Sequence, residues 1–433
     1  MDSKFLIKNG LWGVGLVAAY FCGSSQNSTK APEDSTTSAP RSLSIKRAGD
    51  PSSDPSSSSS RTRTSKSEER GELSQIFEIS RLSNIGIEAL TKEALNDPNP
   101  VKRRLAFSKL LEGMTVENSA AIRDELVSLG AGRKEWQDFN YAWGAIAGQD
   151  AFTNSTMSEK RDLEAVISGW AATDPAGAIA MLANLPEDIA DQKSQLERGI
   201  VSGLADRDRN EAAKYVYSLA SEGREDAPRL MGIVAYEVLR KDGSESAARW
   251  TESLADGLVK GSAMNEVAGR YVREDPEAAS SWIAQFATEE YAASAVAEVG
   301  KEWAEKEPLT AVTWLDNLPE GQGQKNGLNA AFGDWEDKDP VAAGEYLLTM
   351  AESPKRDAAI KGFAEGVAWQ DPQIALAWAL DITNPQIRGE SITRVGHAYF
   401  RRNPEAAQEW LTNSGFSAEM QKAIKNPPRR RGR

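Results

Sequence analysis

Eight copies of one short pattern constrain this chain more than any other feature. The segments DPAGAIAM from Asp174, DRNEAAKY from Asp208, GSESAARW from Gly243, DPEAASSW from Asp275, EPLTAVTW from Glu307, DPVAAGEY from Asp339, DPQIALAW from Asp371 and NPEAAQEW from Asn403 align without gaps. Their starts lie 34, 35, 32, 32, 32, 32 and 32 residues apart. Self-similarity at such a period marks an array whose units bury their apolar faces against one another.

The recurring positions have a physical reading. Asp, Glu, Asn or Gly opens each copy and Pro follows in six of the eight. This predicts an N-cap whose side chain accepts orphan amides, followed by an N1 proline whose missing N–H costs nothing. Four residues after the first position comes alanine in every copy, at Ala178, Ala212, Ala247, Ala279, Ala311, Ala343, Ala375 and Ala407. Three further on comes a large side chain: Met181, Tyr215, Trp250, Trp282, Trp314, Tyr346, Trp378 and Trp410. Offsets of four and seven share one helical face, so the small residue admits a neighbouring helix and the large one fills the space beside it.

A second apolar line, Trp170, Leu204, Tyr271, Trp303, Trp335, Val367 and Tyr399, runs four residues ahead of the cap. Ala-rich stretches there, such as ASAVAEVGKEWAEK, predict a helix before each cap, while Leu185-Pro186-Glu187 and Leu318-Pro319-Glu320-Gly321 predict turns after the second helix. No segment alternates with period two. The expected fold is all-α: an α/α superhelical solenoid of about eight 32–35-residue two-helix repeats over 160–415. Residues 73–159 lack the cap motif but carry helical stretches, among them TVENSAAIRDELVSLG, with Thr115 expected as N-cap and Gly130 as terminator. They are assigned as an N-terminal helical cap, either continuous with the array or a small separate domain.

The string D-P-x-x-A-x-x-W, as in DPEAASSW and DPQIALAW, resembles the helix onset of tetratricopeptide-type repeats. The array as a whole is similar to exported bacterial α-solenoid proteins of tetratricopeptide- or HEAT-like kind. What the resemblance implies is a scaffold that binds other proteins.

The amino terminus has its own pattern. Lys4 and Lys8 precede the apolar run Leu11 to Cys22, after which the sequence turns polar. Residues 1–22 therefore read as a signal sequence or a membrane anchor, with the rest of the chain outside. Cys22, the only cysteine, stands where a lipidated cysteine would, although Ala19-Tyr20-Phe21 before it departs from the small residues such a site prefers. The competing reading of Cys22 is a small apolar residue. Residues 23–72 hold sixteen serines and almost no large apolar side chain, so they cannot offset their ordering entropy and are expected to form a disordered tether. Such a tether would hold the body on the order of 40 Å from its attachment point.

Charge is unevenly spread. The chain is −13 overall, but residues 1–72 carry +2 and residues 421–433 carry +6, leaving −21 on 73–420. A body of that sign repels phosphate backbones, so no nucleic-acid partner is expected. The basic tail, 416–433, ends in Pro427-Pro428-Arg429-Arg430-Arg431-Gly432-Arg433 and is expected to rest in solvent or against acidic surfaces.

One cysteine and one histidine exclude an internal disulfide framework, a Cys/His zinc site and any mechanism needing two imidazoles. No GxSxG, GxxxxGK[ST] or HExxH is present. His397 is read as structural, and Asp206-x-Asp208-x-Asn210 fails as a calcium loop because Glu211 and Tyr217 stand where glycine and glutamate are needed. The acid cluster Asp334, Glu336, Asp337 and Asp339 is read as a solvated helix end, and Trp136 and Trp143 as packed side chains. No cofactor, metal or catalytic residue is assigned. The functional expectation is a membrane-tethered or exported scaffold that binds a protein partner in the cell envelope or periplasm. The alternative is an envelope enzyme acting on glycan or peptidoglycan through carboxylates converging in a solenoid groove.

Overall fold

The structure, a computed structural model, describes residues 84–158 and 162–426. The leader 1–22 with Cys22, the Ser-rich segment 23–72 and the tail from Pro427 lie outside the described residues. The chain divides into two compact units, residues 1–143 and 144–433. Among the described residues every regular element is helical.

The first unit contains α1 (Asn84–Asn96), α2 (Pro100–Glu112), α3 (Ser119–Ser128) and most of α4 (Arg133–Ala147). Asn99 caps α2 by accepting from the Val101 amide at 2.9 Å. Helix α3 starts later than the sequence suggests. Thr115 and Asn118 exchange amide-to-side-chain bonds in the turn before it, and Asn118 is the cap position. Gly130 ends the segment at φ 71°, a left-handed conformation that costs glycine nothing. On α4, Trp136, Phe139 and Trp143 are buried and stack in sequence at 5.8 and 5.7 Å.

The second unit opens with α5 (Gln149–Thr156) and continues as eight helix pairs, a first helix A and a second helix B. They are α6 (Leu163–Thr173) with α7 (Pro175–Ala183), α8 (Lys193–Arg207) with α9 (Arg209–Ser221), and α10 (Ala227–Asp242) with α11 (Ser244–Glu252). Then come α12 (Leu258–Glu274) with α13 (Pro276–Ala284), α14 (Ala293–Ala304) with α15 (Pro308–Asn317), and α16 (Gln322–Lys338) with α17 (Pro340–Thr349). The last pairs are α18 (Pro354–Val367) with α19 (Pro372–Leu380) and α20 (Pro385–Arg402) with α21 (Pro404–Asn413), closed by α22 (Ala418–Lys425). Each A helix packs on the next A helix, and each B helix packs on its own A and the following one, which makes the unit an all-α solenoid.

In six of the eight repeats the cap residue is the whole junction between A and B; residues 305–307 join α14 to α15, and residues 368–371 join α18 to α19. The cap amide donates to the carbonyl four residues back, at 2.8–3.1 Å in all eight repeats, and the cap carbonyl accepts from the amide of the recurring alanine four residues on, at 3.0–3.2 Å. One residue thus closes one helix and opens the next. Seven of the eight take an extended conformation, φ −154 to −133° and ψ 71 to 112°. In six, the Asp or Asn side chain also accepts first-turn amides; Asp174 takes Gly177, Asp275 takes Ala278, Asp339 takes Ala342, and Asp371 takes Gln373 and Ile374. The exception in conformation is Gly243, at φ 79° and ψ 170°, where a Cβ would be strained.

The same double bond recurs at a ninth place that the sequence pattern does not reveal. Gly148 donates to the Gly144 carbonyl at 2.9 Å and accepts from the Phe152 amide at 3.1 Å. Glycine replaces the Asp, no proline follows and Phe152 stands where alanine recurs, so the motif is unrecognisable while its pair of backbone hydrogen bonds persists, at φ 51° and ψ −118°.

The eight alanines are fully buried, among them Ala178 and Ala279. The position one turn further, four residues beyond each alanine, is buried in every repeat: Leu182, Val216, Thr251, Ile283, Leu315, Leu347, Ala379 and Leu411. This is the true core line of helix B. The large side chains at offset seven sit on its shoulder. Trp250 and Trp282 are buried, while Trp314, Trp378 and Trp410 are half-buried. They meet the second apolar line across the corner, Tyr271 with Trp282 at 6.1 Å, Trp303 with Trp314 at 6.0 Å, Trp335 with Tyr346 at 5.9 Å and Tyr399 with Trp410 at 6.0 Å. Such tilted pairs contribute about 0.5–1.5 kcal/mol each beyond area burial.

Glycines set how closely the A helices approach. A methyl at Gly203 of α8 would overlap the Ser168 carbonyl oxygen of α6, and one at Gly362 of α18 would overlap the Asn329 carbonyl of α16. Helix propensity alone favours Gly→Ala by about 1 kcal/mol in a helix interior. Here the overlap reverses the sign. Gly203→Ala and Gly362→Ala are expected to destabilise the protein by about 1–3 kcal/mol, whereas Gly389→Ala on α20, with no atom near the added methyl, is neutral or stabilising. Urea midpoints for the three variants check this, and an unchanged or raised midpoint for Gly362→Ala would show that the A layer tolerates a wider spacing.

Candidate functional site

Polar side chains on the A helices are largely committed to holding the array together. Along their outer face Arg198 faces Glu164 at 3.8 Å, Lys241 meets Asp206 at 2.6 Å, Arg273 meets Glu302 at 3.4 Å, Lys361 meets Glu390 at 3.2 Å and Arg394 meets Glu365 at 2.7 Å. Basic residues at the end of one A helix also reach the C-terminal carbonyls of the previous one. Arg207 donates to Thr173 at 3.2 Å and Lys338 to Ala304 at 3.2 Å, and Arg402 donates to Trp369. Cations placed there complement the helix dipole.

A second set of inter-element donors lies fifteen residues before the cap, outside the recurring eight-residue pattern. Lys260 donates to the Glu252 carbonyl at 3.2 Å, Gln324 to Leu318 at 2.8 Å, Arg356 to Leu347 at 3.4 Å and Arg388 to Ile382 at 2.9 Å. Each satisfies carbonyls at or just beyond the C-terminus of the preceding B helix. The 32-residue spacing of Gln324, Arg356 and Arg388 is the sequence signal that would have found them.

Three acids are buried in the A layer, and their surroundings differ. Glu197 receives the Arg224 guanidinium fork at 3.0 and 2.6 Å. Asp357 accepts from the Thr383 amide, the Thr383 hydroxyl and the Asn384 amide at 2.8, 2.7 and 2.8 Å. Glu336 of α16 is only 1% exposed, is covered by Gly366 of α18, and has no donor for Oε2. The reading of Asp334, Glu336, Asp337 and Asp339 as one solvated helix end is therefore corrected. Asp339 is a corner cap and Asp337 is exposed beside Gln370, but Glu336 points into the interface between repeats six and seven. Burial, with Asp337 adding to it, pushes the Glu336 carboxyl up from its ordinary 4.5 to about 7.

One open cleft, of about 590 Å³, adjoins the first corner, with Trp170, Asp174, Gly148 and Met181 in its wall. Asp174 is the one carboxylate there, and it already accepts from the Trp170 indole at 3.3 Å and the Gly177 amide at 3.1 Å. The described carboxylates that burial pushes up, Asp138, Glu266, Asp334, Glu336 and Glu365, all lie outside the wall of that opening. His397 is half-buried, and its Nε2 is 2.9 Å from the Ala423 carbonyl, which ties α20 to α22. Among the described residues no group of three His, Cys, Asp or Glu is placed to hold a metal ion, and no helix is long and apolar enough to cross a membrane.

Beside single exposed side chains such as Tyr236 and Leu258, apolar exposure recurs on three successive B helices. Leu309 of α15, Val341 and Leu348 of α17, and Ile374 and Leu380 of α19 are 50–72% exposed. Numbered from the corner residue, Leu309, Val341, Leu348 and Leu380 fall at offsets two and nine, on the side of the helix away from the buried alanine line, and Ile374 at offset three lies roughly a quarter turn to one side. Contiguous apolar exposure of this kind marks interaction sites.

No protein-family model, curated protein or solved structure matches the chain.

Proton linkage at Glu336 yields a pH test. The folded state holds this proton more tightly than the unfolded chain does, so its stabilisation is complete below the ordinary value and is lost as pH rises through about 7. Wild type is expected to lose thermal stability between pH 4.5 and 8. Glu336→Gln should remove that part of the slope and melt higher than wild type at pH 8. Parallel melting profiles for the two proteins would show that Glu336 does not carry the linkage.

Proposed function

We propose that the protein is an exported, membrane-tethered helical-repeat scaffold, tetratricopeptide- or HEAT-like in kind, that binds another protein in the cell envelope. The observation that carries this reading is the apolar stripe on the B helices of repeats five to seven, in an array whose A-face charges are already paired with each other. Surface of that composition is costly to leave in water and is retained where a partner covers it. The address is supported by Lys4 and Lys8 ahead of the apolar run Leu11 to Cys22, and by the Ser-rich stretch behind it.

Specificity on such a scaffold comes from side chains that vary between repeats, and the stripe fits that description. At the second position after the corner the successive residues are Glu277, Leu309, Val341, Gln373 and Glu405. The test is site-specific photo-cross-linking in the cell that makes the protein, with the full chain carrying the probe at Leu348 or at Glu277. A discrete envelope protein is expected to cross-link through position 348 and not through 277, and the chain is expected in the envelope fraction. Absence of any cross-linked partner at every B-face position, with residues 1–72 alone as control, counts against the scaffold.

A further inference from the structure

Resting on the scaffold reading, we infer that the B face of repeats five to seven docks a cationic amphipathic helix of a partner protein. The stripe supplies half of the argument. Leu309, Val341, Leu348, Ile374 and Leu380 are exposed across α15, α17 and α19, and the neighbouring B helices close it on both sides with Glu277 on α13 and Glu405 and Glu409 on α21. The patch is therefore three repeats wide. The A helices pack directly on one another, roughly 10 Å apart, so the array advances by about that much per repeat and a partner helix of about four turns, some 20 Å long, matches the advance across three repeats. Residues spaced i, i+3, i+4 and i+7 on such a helix match apolar positions repeated from one B helix to the next.

Charge supplies the other half. The three helices, PLTAVTWLDN, PVAAGEYLLT and PQIALAWAL, contain no Lys or Arg. Glu307, Asp339 and Glu345 stand exposed around the stripe, and Asp381 beside it is paired with Arg356. Of the cations near in sequence, Lys355 is occupied by Asp316 at 2.8 Å, Arg356 by Asp381 at 2.6 Å and Lys338 by the Ala304 carbonyl at 3.2 Å, while Lys306 is exposed next to Glu307. An apolar strip in an acidic frame selects a ligand that is apolar along its centre and basic at its edges. Other occupants fit less well. A second copy of this face would set acid against acid, an anionic bilayer would be repelled by the same groups, and the chain's own Pro427–Arg433 segment has the charge but no apolar side chain to fill the stripe.

The test uses the purified full chain and a fluorescein-labelled 18-residue Leu/Lys amphipathic peptide, followed by anisotropy. Comparators are a Leu/Glu peptide of the same pattern, a Lys peptide of equal charge with its leucines dispersed, and phosphatidylglycerol vesicles. The Leu/Lys peptide is expected to bind saturably, at least tenfold more weakly to Leu348→Gln/Leu380→Gln, and with a smaller salt dependence to Glu307→Gln/Glu345→Gln. These side chains are exposed, and an unchanged circular dichroism melt confirms the fold of each variant. Equal binding of the Leu/Lys peptide to wild type and Leu348→Gln/Leu380→Gln overturns the inference, because the acidic body alone then explains it. Equal binding of the Leu/Glu peptide also overturns it, as does stripe-dependent vesicle binding or stripe-dependent self-association. Cross-linking through position 348 that persists while the peptide test fails rejects the cationic helix and leaves the scaffold standing; loss of both rejects both.

Discussion

A single residue that both ends one helix and begins the next is the constraint from which the second unit is built. At Asp275 the amide is spent on Tyr271 and the carbonyl on Ala279, so no loop exists in which the angle between α12 and α13 can drift. Fixing that angle fixes which faces meet. Ala279 comes to lie fully buried, and Tyr271 and Trp282 are brought to 6.1 Å across the corner. Repeating the corner at 32- to 35-residue intervals then stacks A helix upon A helix. The close approach of Gly362 to the Asn329 carbonyl and of Gly203 to the Ser168 carbonyl marks where neighbouring A helices meet. The corner is a local, backbone-determined device, and the long-range packing follows from it.

Polar groups in this architecture divide by task. Those on the A helices join repeats: the Lys241–Asp206 and Arg394–Glu365 pairs along the face, the Arg207 and Lys338 contacts at helix ends, and the row of buried Lys260, Gln324 and Arg356 with half-buried Arg388. Exposed pairs of this kind contribute about 0–1 kcal/mol apiece, so their value lies in repetition and in fixing register more than in any one bond. Glu336 departs from the division. It is buried like Glu197 and Asp357 yet lacks the donors that they have, and the cost appears as a proton held near neutrality. B helices carry few such obligations on their outer side, which leaves that side free to differ from repeat to repeat.

Much of this was legible in the sequence, and the parts that were not fail for identifiable reasons. Asp-Pro followed by Ala encodes the corner because capping and proline chemistry act within a few residues, so Asp174, Asp275, Asp339 and Asp371 were recognisable without a structure. The Trp and Tyr lines were recognisable for the same reason, although their large side chains drew attention from the more deeply buried Leu and Ile one residue later. Gly148 escaped because its corner is made by backbone alone, and a glycine with φ 51° followed by Gln149 leaves no side-chain signature. Glu336 escaped because its neighbour is Gly366, 30 residues away and on another helix. Placement across helices decides burial there, and a lone glutamate among acids looks solvated. The stripe was hidden in plain view. Leu309 and Val341 look like core residues until the corner shows which side of the helix is already occupied.

The register shared by all the corners has an evolutionary corollary. Between Asp339 and Asp371 lie one B helix, one turn and one A helix, and the principal contacts of each helix reach no further than the adjacent pair. A gene that gained or lost one such block would join matching ends on either side and still present complementary faces. Proteins of this design can therefore change length in whole modules, as a chain changes by links, and the reach of their outer surface becomes a matter of counting.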